Sequence, residues 1–329
     1  MKKCQASSVL CLFLLSLPTH LLAQKATDAT WSAYGGDTGG TRFSSATQIN
    51  KSNVAQLKLA WTFHTGALPH DPDLDRKATF ESSISLVPES ISVDDAWGVT
   101  PEQKQWCAEK IKAARFGSIY IPPSTQGTLV YPGNVGGVNW GSSAYDPANH
   151  LLIMNTNHLV MLVRMIPRDE LDAQRKGASD LDRMHGEFAR QTGAPFAMFR
   201  TPLLSASGLP CTAPPWGNVT AVDLFTGKKA WDVPLGTYLP GQKTGTINLG
   251  GLIATAGGLV FSAAGMDGKL HAFDSATGAE LWSYDLPAGG QATPMTYTLN
   301  GKQYLVLAAG GHGKLGTKQG DSLLAFTLP

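Results

Sequence analysis

The side chains best suited to chemistry stand in four short phrases. Asn139 and Trp140 adjoin in GGVNW, Asp267 lies in GMDGK, His312 in GGHG, and Asp94 and Asp95 precede Trp97. An amide both donates and accepts, an indole offers one donor and a flat face, and a carboxylate or imidazole can hold a cation or move a proton. Each phrase also has a plain structural reading. Asn139 and Trp140 read equally as a loop amide and a core indole, Asp-Gly at 267–268 is a strong hairpin-turn signal, and His312 sits in a Gly-rich strand end. Adjacent carboxylates on a loop, as at 94–95, more often cap a turn or face water than bind metal. His64 and His70 lack partners at metal-ligand spacing, and no Ser-His-Asp or Cys-His set stands out. The Gly-Gly pairs at 136–137, 250–251 and 257–258 lack the strand–G-x-G-x-x-G–helix context of a dinucleotide loop. Taken alone, these residues name neither a catalytic group nor a metal centre.

The elements that must position them are strands. AVDLFTGKKAW at 221–231 and HAFDSATGAELW at 271–282 share one pattern: an apolar strand ending in Asp, a Thr-Gly turn, and a strand carrying Trp. Asp223 and Asp274, Gly227 and Gly278, and Trp231 and Trp282 keep a single offset, and LKLAWTFHTG at 57–66 repeats the Trp strand near the N-terminus. Such recurrence marks a β-repeat, most simply a propeller, with Trp packing between neighbouring blades. Strand–turn–strand units at SSAYDPANHLLIMNT, GLIATAGGLVFSAAG and PMTYTLNGKQYLVLAAG fall between the Trp hairpins and give three to four blades of about 45–50 residues. A helix is expected over 101–115, with Thr100 as cap, Pro101 in the first turn, Gln103 completing a capping box and Gly117 as stop. Residues 167–192 read as a polar, partly helical surface insertion, and 193–216 as a Pro-rich connector.

Composition bounds the partners. With 26 basic and 25 acidic residues there is no electrostatic case for nucleic acid or anionic lipid. Glycine at 36, proline at 20 and only 16% charged residues suit a turn-rich β protein. Lys2 and Lys3 before the apolar run from Val9 to Leu17 read as a secretory leader over 1–23, with cleavage near 23–26, and predict periplasmic export. No other run is long enough to cross a bilayer, and membrane association is left open. Cys4 and Cys11 would leave with the leader, so Cys107 and Cys211 would be either one disulfide or two buried thiols. The domain is expected over 27–329, with 31–66 as closing strands and 118–329 as C-terminal blades.

Five stretches carry a resemblance: WSAYGGDTGGTRFSSATQINKSNVAQLKLAWTFHTG at 31–66, PPSTQGTLVYPGNVGGVNWGSSAYDP at 122–147, GLPCTAPPWG at 208–217, GGLIATAGGLVFSAAGMDGKLHAFDSATGAELW at 250–282, and LPAGGQATPMTYTLNGKQYLVLAAGGHGKLGTKQGD at 286–321. In these the chain resembles the quinoprotein dehydrogenases that use pyrroloquinoline quinone (PQQ), most closely the membrane-type glucose dehydrogenases. The resemblance implies an eight-bladed propeller closed by its N-terminal strand. It also implies PQQ with a calcium ion, and hydride transfer from a sugar or alcohol hydroxyl to the quinone. Residue by residue, it implies that Asn139, Trp140 and Asp267 approach the cofactor.

The chain departs from that pattern in one respect. Residues 31–66 match the start of the family's propeller and residues from about 84 onward match its second half. The blades between, which in the family supply the catalytic Asp and most cofactor and calcium ligands, find no counterpart. The expectation is therefore an incomplete propeller with about four blades, in a PQQ-dependent oxidoreductase of the glucose, sugar or polyol class that is impaired or inactive as it stands. The alternative is a non-catalytic propeller that binds or scaffolds in the cell envelope. A small sugar or alcohol is the expected substrate, and the open blade faces invite self-association. The electron acceptor, a quinone in the family, is not named by this sequence.

Overall fold

The computed structural model describes residues 29–64, 91–117 and 121–329, apart from Ser32, Tyr34, Thr38 and the side chains of Asn139, Trp140, Ser142 and Lys314. The expected leader over 1–23 and His70 lie outside the described residues. Strands dominate. The N-terminal stretch contributes β1 (Phe43–Ser44) and β2 (Lys58–His64). Helix α1 (Pro101–Ala113) follows, with the Thr100 hydroxyl accepting from the Gln103 N–H at 3.3 Å and Pro101 in its first turn. It stops short of Arg115 because that residue's N–H donates to Gly127 and its carbonyl accepts from Leu129, an extended bridge no helix can share.

Then come β3 (Thr128–Val130), β4 (Val138–Asp146), β5 (Leu151–Asn157) and β6 (Met161–Pro167). The polar insertion folds as α2 (Leu171–Lys176), α3 (Asp180–His185) and β7 (Glu187–Ala189), and the stretch expected as a Pro-rich connector carries a further strand, β8 (Phe196–Pro202). The chain continues through β9 (Gly217–Asp223), β10 (Lys229–Pro234), β11 (Leu252–Thr255), β12 (Leu259–Ser262), β13 (Lys269–Asp274) and β14 (Glu280–Asp285). It ends in β15 (Met295–Leu299), β16 (Lys302–Ala309) and β17 (Ser322–Thr327).

These strands make four sheets of two kinds. Three are propeller-type blades in the orders β4-β5-β9-β10, β11-β12-β13-β14 and β15-β16-β17-β2, so the last takes its outer strand from the N-terminal stretch. The fourth, β3-β6-β8-β7, is built from the connection between β5 and β9 together with β3, which precedes β4. The N-terminal stretch also lies along the first strands of two blades. There β1 pairs parallel with β11, and the Tyr145 N–H donates to Thr41. The sheets form an open set, an incomplete propeller.

The repeated Trp phrase acts between blades. Trp231, Trp282 and Trp61 each stand opposite an alanine of the neighbouring strand, Ala221, Ala272 and Ala325, and each sits beside a β-bulge. Trp231 of the first blade reaches the Asp274–Ala279 turn of the second, where its Nε1–H donates to the Ser275 carbonyl at 3.0 Å. Gly278 in that turn has φ +74°, and a Cβ there would stand 2.6 Å from the indole. Glycine is needed both for the left-handed backbone and for the ring that rests on it. Trp282 packs edge-on against Phe326 of the third blade. Around these contacts lie two interblade cores, one holding Ile153, Val219, Val260 and Phe273, the other Ile253, Phe261, Leu305 and Phe326. Each such fully buried side chain contributes roughly 1.5–3 kcal/mol.

Candidate functional site

Antiparallel strands reverse at every turn, so alternate connections of each blade fall at the same end. The Asp-Thr-Gly turns, at 223–228 and 274–279, therefore lie at one end. At the other end gather the insertion between β5 and β9, the β10–β11 connection, the β12–β13 turn and the β16–β17 connection. Together these surround a cleft of about 190 Å³.

One wall is aromatic and held from beneath. Asn157 and Asn248, both fully buried, clasp the β10–β11 connection to the end of β5: Asn157 Nδ2 donates to the Asn248 carbonyl, and the Asn248 N–H donates to Asn157 Oδ1, each at 2.8 Å. The connection then presents Tyr238, whose hydroxyl donates to Met266 Sδ at 2.8 Å. Burial holds this phenol well above its ordinary value, so it remains a neutral donor at physiological pH. Behind it stands the fully buried Trp216, which packs against Trp97 with ring centroids 5.2 Å apart. Cys107 and Cys211 form a disulfide that fastens α1 under this floor, where the Trp97 N–H donates to the Cys211 carbonyl.

The insertion makes the opposite wall. Arg200 places Nε and Nη2 at 3.0 and 2.6 Å from one Glu187 oxygen. His185 stands beside them on the cleft, and burial lowers its pKa, which favours the neutral ring. His312 completes the rim. Its Nδ1 accepts from the Leu315 N–H at 3.3 Å, so the proton of the neutral ring belongs on Nε2.

Asp267 follows Met266 in the β12–β13 turn, but its carboxylate turns away from the cleft into a groove between the first two blades. There it meets His271 Nε2 at 3.2 Å, with 8% and 5% of the two side chains exposed. His271 Nδ1 meets Glu280 Oε1 at 2.8 Å. Burial alone would lower the imidazole pKa, yet the two carboxylates outweigh it and hold the ring protonated, with a pKa of about 9. Gly236 makes room for this, since a Cβ there would stand 2.9 Å from the Asp267 carboxyl carbon.

Asn139 and Trp140 lie on β4, and their side chains are outside the described residues. Asp94 and Asp95 form a short helical turn with Ser92, in which Asp95 accepts from the Ser92 N–H. His64 pairs with Asp321 at 2.8 Å. Tyr238, the Glu187–Arg200 pair and the His271–Glu280 contact carry no motif that sequence reading could have seized. The one available hint was a histidine within the apolar alternation of β13.

The donor set tests what the site can hold. Calcium takes about six to eight oxygen ligands. Among the described residues, no three His, Cys, Asp or Glu side chains converge as a metal-binding group. The described residues thus bring no cluster of carboxylates to a calcium ion. A flat quinone carrying three carboxylates needs uncompensated donors, whereas the Arg200 guanidinium on this cleft is neutralised by Glu187. What the cleft supplies is an aromatic and thioether surface suited to one face of a planar ring.

The chain matches the family described as "PQQ: Glucose/ethanol/alcohol dehydrogenase, beta-propeller domain" over residues 31–89 and 80–305. It is 42% identical to quinoprotein glucose dehydrogenase A of Acinetobacter calcoaceticus, over 75% of this chain and 32% of that protein. It is 41% identical to the quinoprotein glucose dehydrogenase of Escherichia coli (strain K12), over 75% of this chain and 33% of that protein. The chain therefore spans about a third of the length of these relatives. Among solved structures, the quinohemoprotein alcohol dehydrogenase from Comamonas testosteroni is similar at 23% identity and a TM-score of 0.42, over 61% of this chain and 28% of that one.

Proposed function

The chain belongs to the PQQ-dependent glucose, ethanol and alcohol dehydrogenase propeller family, and from that premise we propose that it forms one wall of the cofactor-bearing end of such an oxidoreductase. The observation that carries this reading is the gathering of four connections around one cleft, with Tyr238, Met266 and His312 facing it. In the complete site of such an oxidoreductase, PQQ would supply the hydride acceptor for a sugar or polyol hydroxyl and calcium would polarise the quinone, while Tyr238 and Met266 of this chain would line one face of the ring. Removing that hydride also requires a base on the hydroxyl proton. In this reading the base and the calcium ligands belong to the family's middle blades, so this chain alone is impaired or inactive. The family match falls in two stretches, 31–89 and 80–305, which accords with this reading.

In the same proposal, residues 1–23 direct the chain to the periplasm, a quinone or similar acceptor takes the electrons, and copies of the chain associate through open blade faces. No helix among the described residues is long and apolar enough to cross a membrane. Purified protein titrated with PQQ, with and without calcium, tests the central claim. Quenching of Trp fluorescence by PQQ is expected, with no dye reduction from glucose, sorbitol or glycerol. Chelator-sensitive turnover would overturn the claim of impairment. Absence of PQQ binding would overturn the wall itself and leave a non-catalytic envelope propeller.

A further inference from the structure

The contact that joins the first blade to the second has two halves that no described residue fills elsewhere in the molecule. Its donor half is a Trp on an outer strand, opposite an alanine and beside a bulge. Its acceptor half is an Asp-x-x-Thr-Gly turn. Trp61 on β2 reproduces the donor half, opposite Ala325 and beside a bulge, yet it is 39% exposed, between Leu59 and Phe63 at 39% and 57%.

The acceptor half recurs at Asp223–Lys228. The Gly227 N–H donates to the Asp223 carbonyl at 2.8 Å, as Gly278 does to Asp274. The Phe225 N–H bonds Asp223 Oδ1 at 2.8 Å, as Ala276 bonds Asp274 Oδ1 at 2.9 Å. Gly227 has φ +68° against +74° for Gly278. The difference lies in what rests on them. A Cβ at Gly278 would strike Trp231, whereas a Cβ at Gly227 meets none of the described residues within 4 Å. Beside it, Leu224 and Phe225 are 52% and 78% exposed.

We propose that a second copy of this chain fills both halves, with Trp61 of one copy seated on the Asp223–Lys228 turn of the other. The inference deepens the self-association included in the proposed function and is independent of cofactor binding. The occupant follows from the internal contact, because this chain already contains both surfaces and already shows how they fit. The join is heterologous, outer strand to turn, so two joins related by a two-fold axis close on themselves. The three blades that the described residues of each copy form would then bring six to such a ring, within the range of about four to eight that propellers use. A buried Trp at the centre of each join is the kind of anchor that dominates interface energy.

The test is the mass of the full chain, without PQQ, by light scattering across a concentration series. Wild type should be a dimer. Trp61→Thr and Phe225→Ser should each raise the dissociation constant by roughly tenfold or more. Both positions are exposed, and near-ultraviolet circular dichroism checks that each variant keeps its fold. Mixing the two variants decides the geometry. Head-to-tail joining leaves one intact join, Trp61 of the Phe225→Ser chain on the turn of the Trp61→Thr chain, so a dimer should reappear. A wild type that stays monomeric to its solubility limit overturns the proposal. So does an association that Phe225→Ser leaves unchanged, or one that mixing fails to restore.

Discussion

His271 is the side chain whose surroundings most constrain its charge. It is buried between two carboxylates, Asp267 and Glu280, and its pKa of about 9 stands above the ordinary 6.5. A group whose pKa is raised by folding adds stability that is fully present below its unfolded value and is lost as pH climbs through its folded value. The stabilisation should therefore be intact near pH 6 and fade between about pH 6.5 and 9, with a size on the order of 3 kcal/mol. Glu280 moves the other way: the bond from His271 lowers its pKa, so its share is lost as pH falls. Urea midpoints measured from pH 5.5 to 9.5 should decline across the alkaline half for wild type. His271→Gln should start lower and stay nearly flat, and an equal decline in both proteins would rule the ion pair out as the cause. Asp267 shows what sequence could convey at this scale. Its Asp-Gly turn was legible because turn chemistry is local, whereas its partner four residues on was not, because a strand's neighbours decide which polar group is buried beside it.

Among the elements, α1 and the disulfide hold the base of the cleft. Cys107 lies on the helix and Cys211 on the segment that carries Trp216, 104 residues apart in sequence. Loop-closure entropy for a crosslink of that span is worth about 4–5 kcal/mol. Its loss should be felt locally, since Ile111, Leu129, Val160 and Leu203 pack around the two sulfurs in a core separate from those of the blades. In the double variant Cys107→Ser/Cys211→Ser, amide exchange should quicken along α1 and near Trp97, while β11–β13 keep their protection. Uniform loss of protection would mean that the helix and blades fold as one unit. The helix was readable because Thr100, Pro101 and Gln103 are a local start signal. The sheet β3-β6-β8-β7 was not, because β3 pairs with a strand beyond β4 and β5, and no local pattern encodes that register.

At the scale of the whole molecule, stability depends on how each blade is coupled to the next. In a stacked architecture the terms are intrinsic blade stabilities plus nearest-neighbour contacts. The pair Gly227 and Gly278 separates them, since both occupy the same turn with the same left-handed backbone but only Gly278 carries the neighbouring indole. Alanine at either position incurs the left-handed strain of roughly 1–2 kcal/mol. At Gly278 it must also displace Trp231, breaking its bond to Ser275 and opening the core between the first two blades. Gly227→Ala, studied dilute enough to be monomeric, should therefore lose only the strain. Gly278→Ala should lose about 1–3 kcal/mol more, in the range of overpacked core substitutions, and should broaden the urea transition as the first blade melts apart from the rest. Equal losses at the two glycines would mean that Trp231 decorates the join without coupling it. The repeated phrase then records more than a blade count: each copy holds half of a contact, and the energetic consequence of a substitution depends on whether its other half is present.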